Sequence, residues 1–139
     1  MIIREVTMPT SKYSIKCPYE MNRPIGITVH NTFNYAPARN EIAYMQRNHN
    51  YVSFHFAVDE TEAIQGVPFN RCTWNAGDGR NGKGNRQTIS VEICRSTSSD
   101  RSLSEAAEEN GARLVAMLCR KYGFGLDDIY KHQDWSGKY

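Results

Sequence analysis

At 139 residues the chain has the length of one compact domain, and a hydrophobic fraction of 40% is enough to build a core. Its formal net charge is +2, and the 17 basic and 15 acidic residues form no basic block, so nothing points to a nucleic-acid partner. No apolar run reaches about 18 residues, which excludes a membrane-spanning helix, and membrane insertion is not expected. Met1 to Thr10 lacks the apolar core of a secretory signal, so synthesis in the cytoplasm without a signal peptide is expected. Cys17, Cys72, Cys94 and Cys119 are widely spaced with no C-x-x-C pair, and free thiols are expected.

In chain order, residues 26–30 (GITVH) read as a strand. Residues 37–49 read as a helix with Pro37 near its first turn and Ile42, Tyr44 and Met45 inside it. Residues 53–58 (SFHFAV) and 63–67 (AIQGV) read as strands joined by the polar connection Asp59 to Glu62, which makes a hairpin. Residues 68–87 are Gly-rich and aperiodic. A connection that long in a compact domain is more often functional than incidental. Its basic part, Arg71 to Arg86, reads as a solvated loop.

Residues 88–94 (TISVEIC) read as another strand. The clearest helix covers 103–122, with Ser102 as N-cap, Glu105 completing a capping box and Gly123 as a left-handed stop. Ala106, Ala107, Leu114, Val115, Met117 and Leu118 supply its apolar stripe. Ile129 and Tyr130 read as a last short strand before His132. The elements alternate only partly, so the fold class is α/β: one domain with a central mixed β-sheet flanked by helices.

Side chains alternate across a strand, and three of the strands share a pattern. Ile27 and Val29 oppose Thr28 and His30. Phe54, Phe56 and Val58 oppose Ser53 and His55. Ile89, Val91 and Ile93 oppose Ser90 and Glu92. In one sheet these strands give an apolar face and a face bearing two histidines and a carboxylate, where a helix-covered sheet would be apolar on both. Each residue alone has a plain structural reading, a hydrogen-bonded strand histidine or a salt-bridged glutamate. Together, and with His132 brought near by the fold, they suit a zinc hydrolase, which keeps one coordination position open for water. The residues alone leave both readings open.

The stretches ITVHNT (27–32), SFHFAVD (53–59), AIQGVP (63–68), GDGRNGKGNRQTISVEIC (77–94) and HQDWSGKY (132–139) add a resemblance. In that order they resemble the N-acetylmuramoyl-L-alanine amidases of the type 2 amidase family. The likeness is to the catalytic domains of phage endolysins from Gram-positive hosts, and peptidoglycan recognition proteins share the fold. The resemblance implies zinc as cofactor, His30 and His132 as zinc ligands, Glu92 as general base and Lys138 as the cation facing the oxyanion. It implies cleavage of the amide between the lactyl group of N-acetylmuramic acid and L-alanine. The implied partner is peptidoglycan, both glycan strand and stem peptide, met by a monomer after release from the host cytoplasm.

His55 is expected beside the site, and Trp74, Asn75 and the 77–87 loop in the substrate groove. Trp135 is expected to hold the His132 segment. In the family's endolysin branch a cysteine directly after the SGKY stretch is the third zinc ligand, and a wall-binding module follows. Both fall past Tyr139. The expectation is a catalytic domain, residues 1–139, cut just before that ligand, with weak or absent activity. A non-catalytic peptidoglycan-binding module is the alternative, and a regulatory domain acting on another protein is a third.

Overall fold

The computed structural model of the chain describes residues 1–95 and 101–137. Strands β1 (Ile2–Glu5), β2 (Gly26–Tyr35), β3 (Phe56–Val58), β4 (Glu62–Gln65), β5 (Thr88–Arg95) and β6 (Ile129–Lys131) form one sheet. Their order is β1-β4-β3-β5-β2-β6, and only the β3–β4 hairpin is antiparallel. The helices are α1 (Tyr13–Lys16), α2 (Ala38–Arg47), α3 (Lys83–Gln87), α4 (Arg101–Tyr122) and α5 (His132–Ser136). A mixed sheet flanked by helices is thus what the sequence pattern predicts.

The alternation of the strands builds the core. Ile27, Phe56, Val58, Ile89 and Val91 bury one face of the sheet against Leu114, Val115 and Leu118 of α4. The other face is divided. Around β3 and β4, Ala57, Ile64 and Val67 pack under Ala38, Ile42 and Met45 of α2. Around β2 and β5 it is polar, with Thr28, Thr88 and Ser90 buried beneath the connection from β4 to β5. Buried polar groups require hydrogen-bond partners, and that connection supplies them.

Four local readings change. Regular strand geometry begins at Phe56, with a bend at His55, so Phe54 joins the α2-side core instead of the face of Phe56 and Val58. Helix α4 starts at Arg101, which places Ser102 inside its first turn and not at the cap. Met117 lies outside the buried stripe of α4, and Asn110 and Gly111 fall within it. Strand β1 and helices α1, α3 and α5 carry no periodic signal, being four or five residues long. Gly123 does stop α4, at φ 75°, with its N–H and that of Phe124 both on the Cys119 carbonyl. All four cysteines are free.

Asp59 ties the two layers together. Its carboxylate accepts the Ala38 N–H at the start of α2, and the Thr61 N–H, Thr61 hydroxyl and Glu62 N–H of the hairpin turn. Burial alone would raise its pKa, yet these four bonds hold it below the usual carboxylate value. Asp59→Ala removes all four acceptor contacts at once. It is expected to cost about 2 kcal/mol, read as a lower urea midpoint with unchanged slope. An unchanged midpoint would show that α2 and the hairpin hold together without this carboxylate.

Candidate active site

The pairing of β2 with β5 is parallel and in register from Gly26↔Thr88 to Asn31↔Ile93, so His30 stands opposite Glu92. His30 Nδ1 lies 3.1 Å from Glu92 Oε2, both side chains partly exposed. On the other side of β2, β6 pairs as Val29↔Lys131, which brings His132, the next residue, level with His30. Their ring centroids are 5.0 Å apart with a 57° tilt. Three residues 40 to 102 positions apart in sequence thus meet side by side, His30 and Glu92 from the middle of β2 and β5 and His132 from the residue after β6.

Beneath them the polar face is wired to the Gly-rich connection. Trp135 Nε1–H donates to Thr28 Oγ1, which lies 2.7 Å from Thr88 Oγ1, and the Thr88 hydroxyl donates to the Gly84 carbonyl. Because Thr88 spends its only proton on Gly84, the Thr28 hydroxyl donates to Thr88, and the chain of bonds has one direction. Asn85 Oδ1 accepts the Asn75 and Ala76 N–H groups, and Asp78 accepts those of Gly84 and Asn85. The loop is held by its own side chains.

Glu41 was not singled out from the sequence. It occupies the inward face of α2 with Ala38, Ile42 and Met45, at the spacing of core positions, so a carboxylate in that stripe is the legible signal. It is 8% exposed, and its Oε1 has no hydrogen-bond partner among the described residues. Burial raises its pKa, the Asn34 side chain opposes this, and the nearby Glu92 charge adds to it. The buried Cys94 thiol is pushed up by burial and by Glu41, Asp59 and Glu92.

His55 corrects the sequence expectation. It is fully buried, with Nδ1 accepting the Ser90 N–H and Nε2–H donating to the Arg71 carbonyl. No edge of the ring is left for substrate, and burial lowers its pKa to about 4. Asn75 is likewise interior at 8% exposure, its amide donating to Thr73 Oγ1 and the Gly84 carbonyl, so it braces the loop and does not line a groove. Trp74 is half-buried, its indole N–H on the Ile15 carbonyl and its ring edge-on to Tyr19 and Tyr51. An open groove of about 850 Å³ instead borders His30 and His132 on the α4 side, lined by Phe33, Ile93, Arg95 and Glu105 among others. Lys138 lies outside the described residues.

Among the described residues no group of three or more His, Cys, Asp or Glu side chains surrounds a common point. Two histidines do fit one ion. Imidazoles ligating zinc at roughly 2.0–2.1 Å and a tetrahedral angle place their centroids about 5 Å apart, and the observed separation is 5.0 Å. Also among these residues, no helix is long and apolar enough to cross a membrane.

A mixed-sheet α/β domain with paired imidazoles and a carboxylate brought together across neighbouring strands has the makings of a hydrolase. The chain belongs to the Amidase_2 family, described as N-acetylmuramoyl-L-alanine amidase, whose pattern matches residues 20–139. It is 52% identical over 129 residues to the N-acetylmuramoyl-L-alanine amidase CwlA of Bacillus subtilis (strain 168), covering 93% of this chain and 47% of that protein. A solved structure of PlyL superposes with a TM-score of 0.93 at 50% identity, covering 100% of this chain and 86% of that one. The PlyG catalytic domain gives 0.92 at 51% identity, with 100% and 82% covered. The chain spans about half the length of the curated relatives it matches.

His55 makes the fold acid-sensitive. Its folded pKa of about 4 lies below the unbound value of 6.5, so the unfolded chain takes up a proton first as pH falls. The part of the stability linked to His55 is expected to be full above pH 6.5 and to fall between there and pH 4, by roughly 3 kcal/mol. Urea midpoints measured across that range should fall steeply for the wild type and more gently for His55→Asn. Parallel curves would show that another group sets the acid limit.

Proposed function

We propose that this domain hydrolyses the amide between the lactyl group of N-acetylmuramic acid and L-alanine in peptidoglycan, with zinc as its cofactor. The observation that carries the reading is His30 set between Glu92 at 3.1 Å and the His132 ring at 5.0 Å, in a chain of the amidase family. In this proposal His30 and His132 hold zinc, supplying two of the three protein ligands that a catalytic zinc commonly takes. Zinc, when bound, supplies Lewis acidity toward the amide carbonyl and the attacking water.

Glu92 performs the proton work. Its carboxylate, beside His30 and partly exposed, accepts a proton from water as the water oxygen bonds to the carbonyl carbon. It then delivers that proton to the departing amide nitrogen as the C–N bond breaks. The products are the lactyl carboxylate and a free α-amino group on L-alanine. Lys138 is assigned the developing oxyanion on the strength of the family resemblance. Service in a wall-lysing enzyme such as a phage endolysin belongs to the same proposal. A pure binding module has no use for a carboxylate paired with a site histidine, which favours catalysis over recognition.

The test is incubation of the chain with purified peptidoglycan and zinc, assaying for newly freed α-amino groups on L-alanine. Glu92→Gln should lower turnover by about 10²–10⁴-fold while leaving wall binding intact. A chelator should abolish release, and zinc should restore it. Wall binding without release, both by the chain and by a version extended by one cysteine, would sink the hydrolase reading and leave a recognition module.

A further inference from the structure

Helix α5 carries His132 but is one turn long, too short to hold a side chain in place by its own hydrogen bonds. Its position must come from what it leans on, and among the described residues that includes β2, β6 and the Gly-rich connection between β4 and β5. Trp135 occupies a slot floored by Gly84, where a Cβ would meet its Cγ at 2.6 Å, and walled by the Tyr130 ring, 4.5 Å away between centroids. Its indole N–H is anchored on Thr28. At the other end of the helix, Gly77 backs directly onto the ring of His132. A Cβ at Gly77 would lie 3.2 Å from His132 Nε2 and 3.3 Å from Ser136 Oγ, closer than nine in ten real Cβ contacts.

We infer that Gly77 is a positioning residue for His132: the bare backbone at this point is the seat against which the imidazole edge is set. The inference rests on the zinc reading above and assigns the loop a task within it. The loop can serve as a seat because it is rigid. Asp78 and Asn85 between them accept four backbone N–H groups around the turn. Gly77 sits at φ 69°, so the chain turns sharply there and presents its Cα hydrogen side toward α5. Changing a group that orients a metal ligand from behind commonly costs about 10–100-fold in metal affinity.

Gly79 provides an internal control. It has φ 84°, so alanine there suffers the same left-handed strain, yet a Cβ at that position meets nothing within 4 Å. Zinc affinity is measured by competition with a chromogenic chelator, on the full chain, for wild type, His132→Ala, Gly77→Ala and Gly79→Ala. Thermal midpoints are recorded alongside. Both glycine variants should lower the midpoint, but only Gly77→Ala should weaken zinc binding, by about 10-fold or more, with Gly79→Ala within about twofold of wild type.

Equal zinc affinity in the two glycine variants would overturn the inference while leaving the metal reading intact. No zinc uptake by the wild type, or none lost in His132→Ala, would instead overturn the metal reading and this inference with it. Should Gly77→Ala fail to fold, Asp78→Ala decides. It removes the acceptors of the Gly84 and Asn85 N–H groups that hold the loop beside Gly77, and leaves α5 itself unaltered. Weaker zinc binding with a folded core supports seating of α5 by the loop, and unchanged binding refutes it.

Discussion

The register between β2 and β5 is the constraint on which the rest depends. In a parallel pair, residues level with each other project to the same side, so His30↔Glu92 fixes both the meeting of the two side chains and the face they share. A slip of one residue would turn His30 toward the apolar layer under α4 and put Val29 or Asn31 in its place. That slip is resisted by the whole length of the pairing. Ile27, Ile89 and Val91 would have to leave the core, and Thr28 and Thr88 would lose the bond between them. The chemistry is therefore placed by packing that takes no part in it.

This also explains how much of the site was legible. Period-two alternation in 26–30 and 88–94 puts His30 and Glu92 on one face, and the sheet confirms it, because those strands are regular over that range. At His55, which does meet Ser90, the expected place beside the substrate fails for a definite reason. The chain bends there, and Ser90 and Arg71 come from other segments to take both ring nitrogens. Alternation describes a strand only while the backbone stays a strand. His132 was found by resemblance and by the short apolar pair before it, whereas α5 itself was invisible, since five residues hold too little period to read.

Glu41 shows the opposite case, in which the signal was present and passed over. A carboxylate at a core position of an amphipathic helix breaks the pattern, and such local violations cluster at functional sites. Its cost is visible in the structure as a buried oxygen with no hydrogen-bond partner among the described residues, near a second carboxylate. A helix that merely covered the sheet would be better served by leucine there. The fold tolerates the charge because two separate apolar clusters, under α4 and under α2, carry the stability of the domain.

The division between those two faces of the sheet is the deeper reason the site lies where it does. The α4 face is packed by a 22-residue helix along its length and leaves little freedom for polar side chains. The opposite face is covered by the shorter α2 on one half only. Over β2 and β5 a mostly irregular segment, with only the one-turn α3 in it, takes the place of a long helix, and such a segment can bring hydroxyls and free carbonyls inward where the middle of a long helix presents side chains alone. Thr73 and Gly84 do so here, allowing Thr28, Thr88 and Ser90 to be polar while buried. A polar, rigid floor beneath His30, Glu92 and His132 follows from that substitution of loop for helix. An apolar floor would leave Trp135, and with it the segment bearing His132, without its hydrogen-bonded anchor.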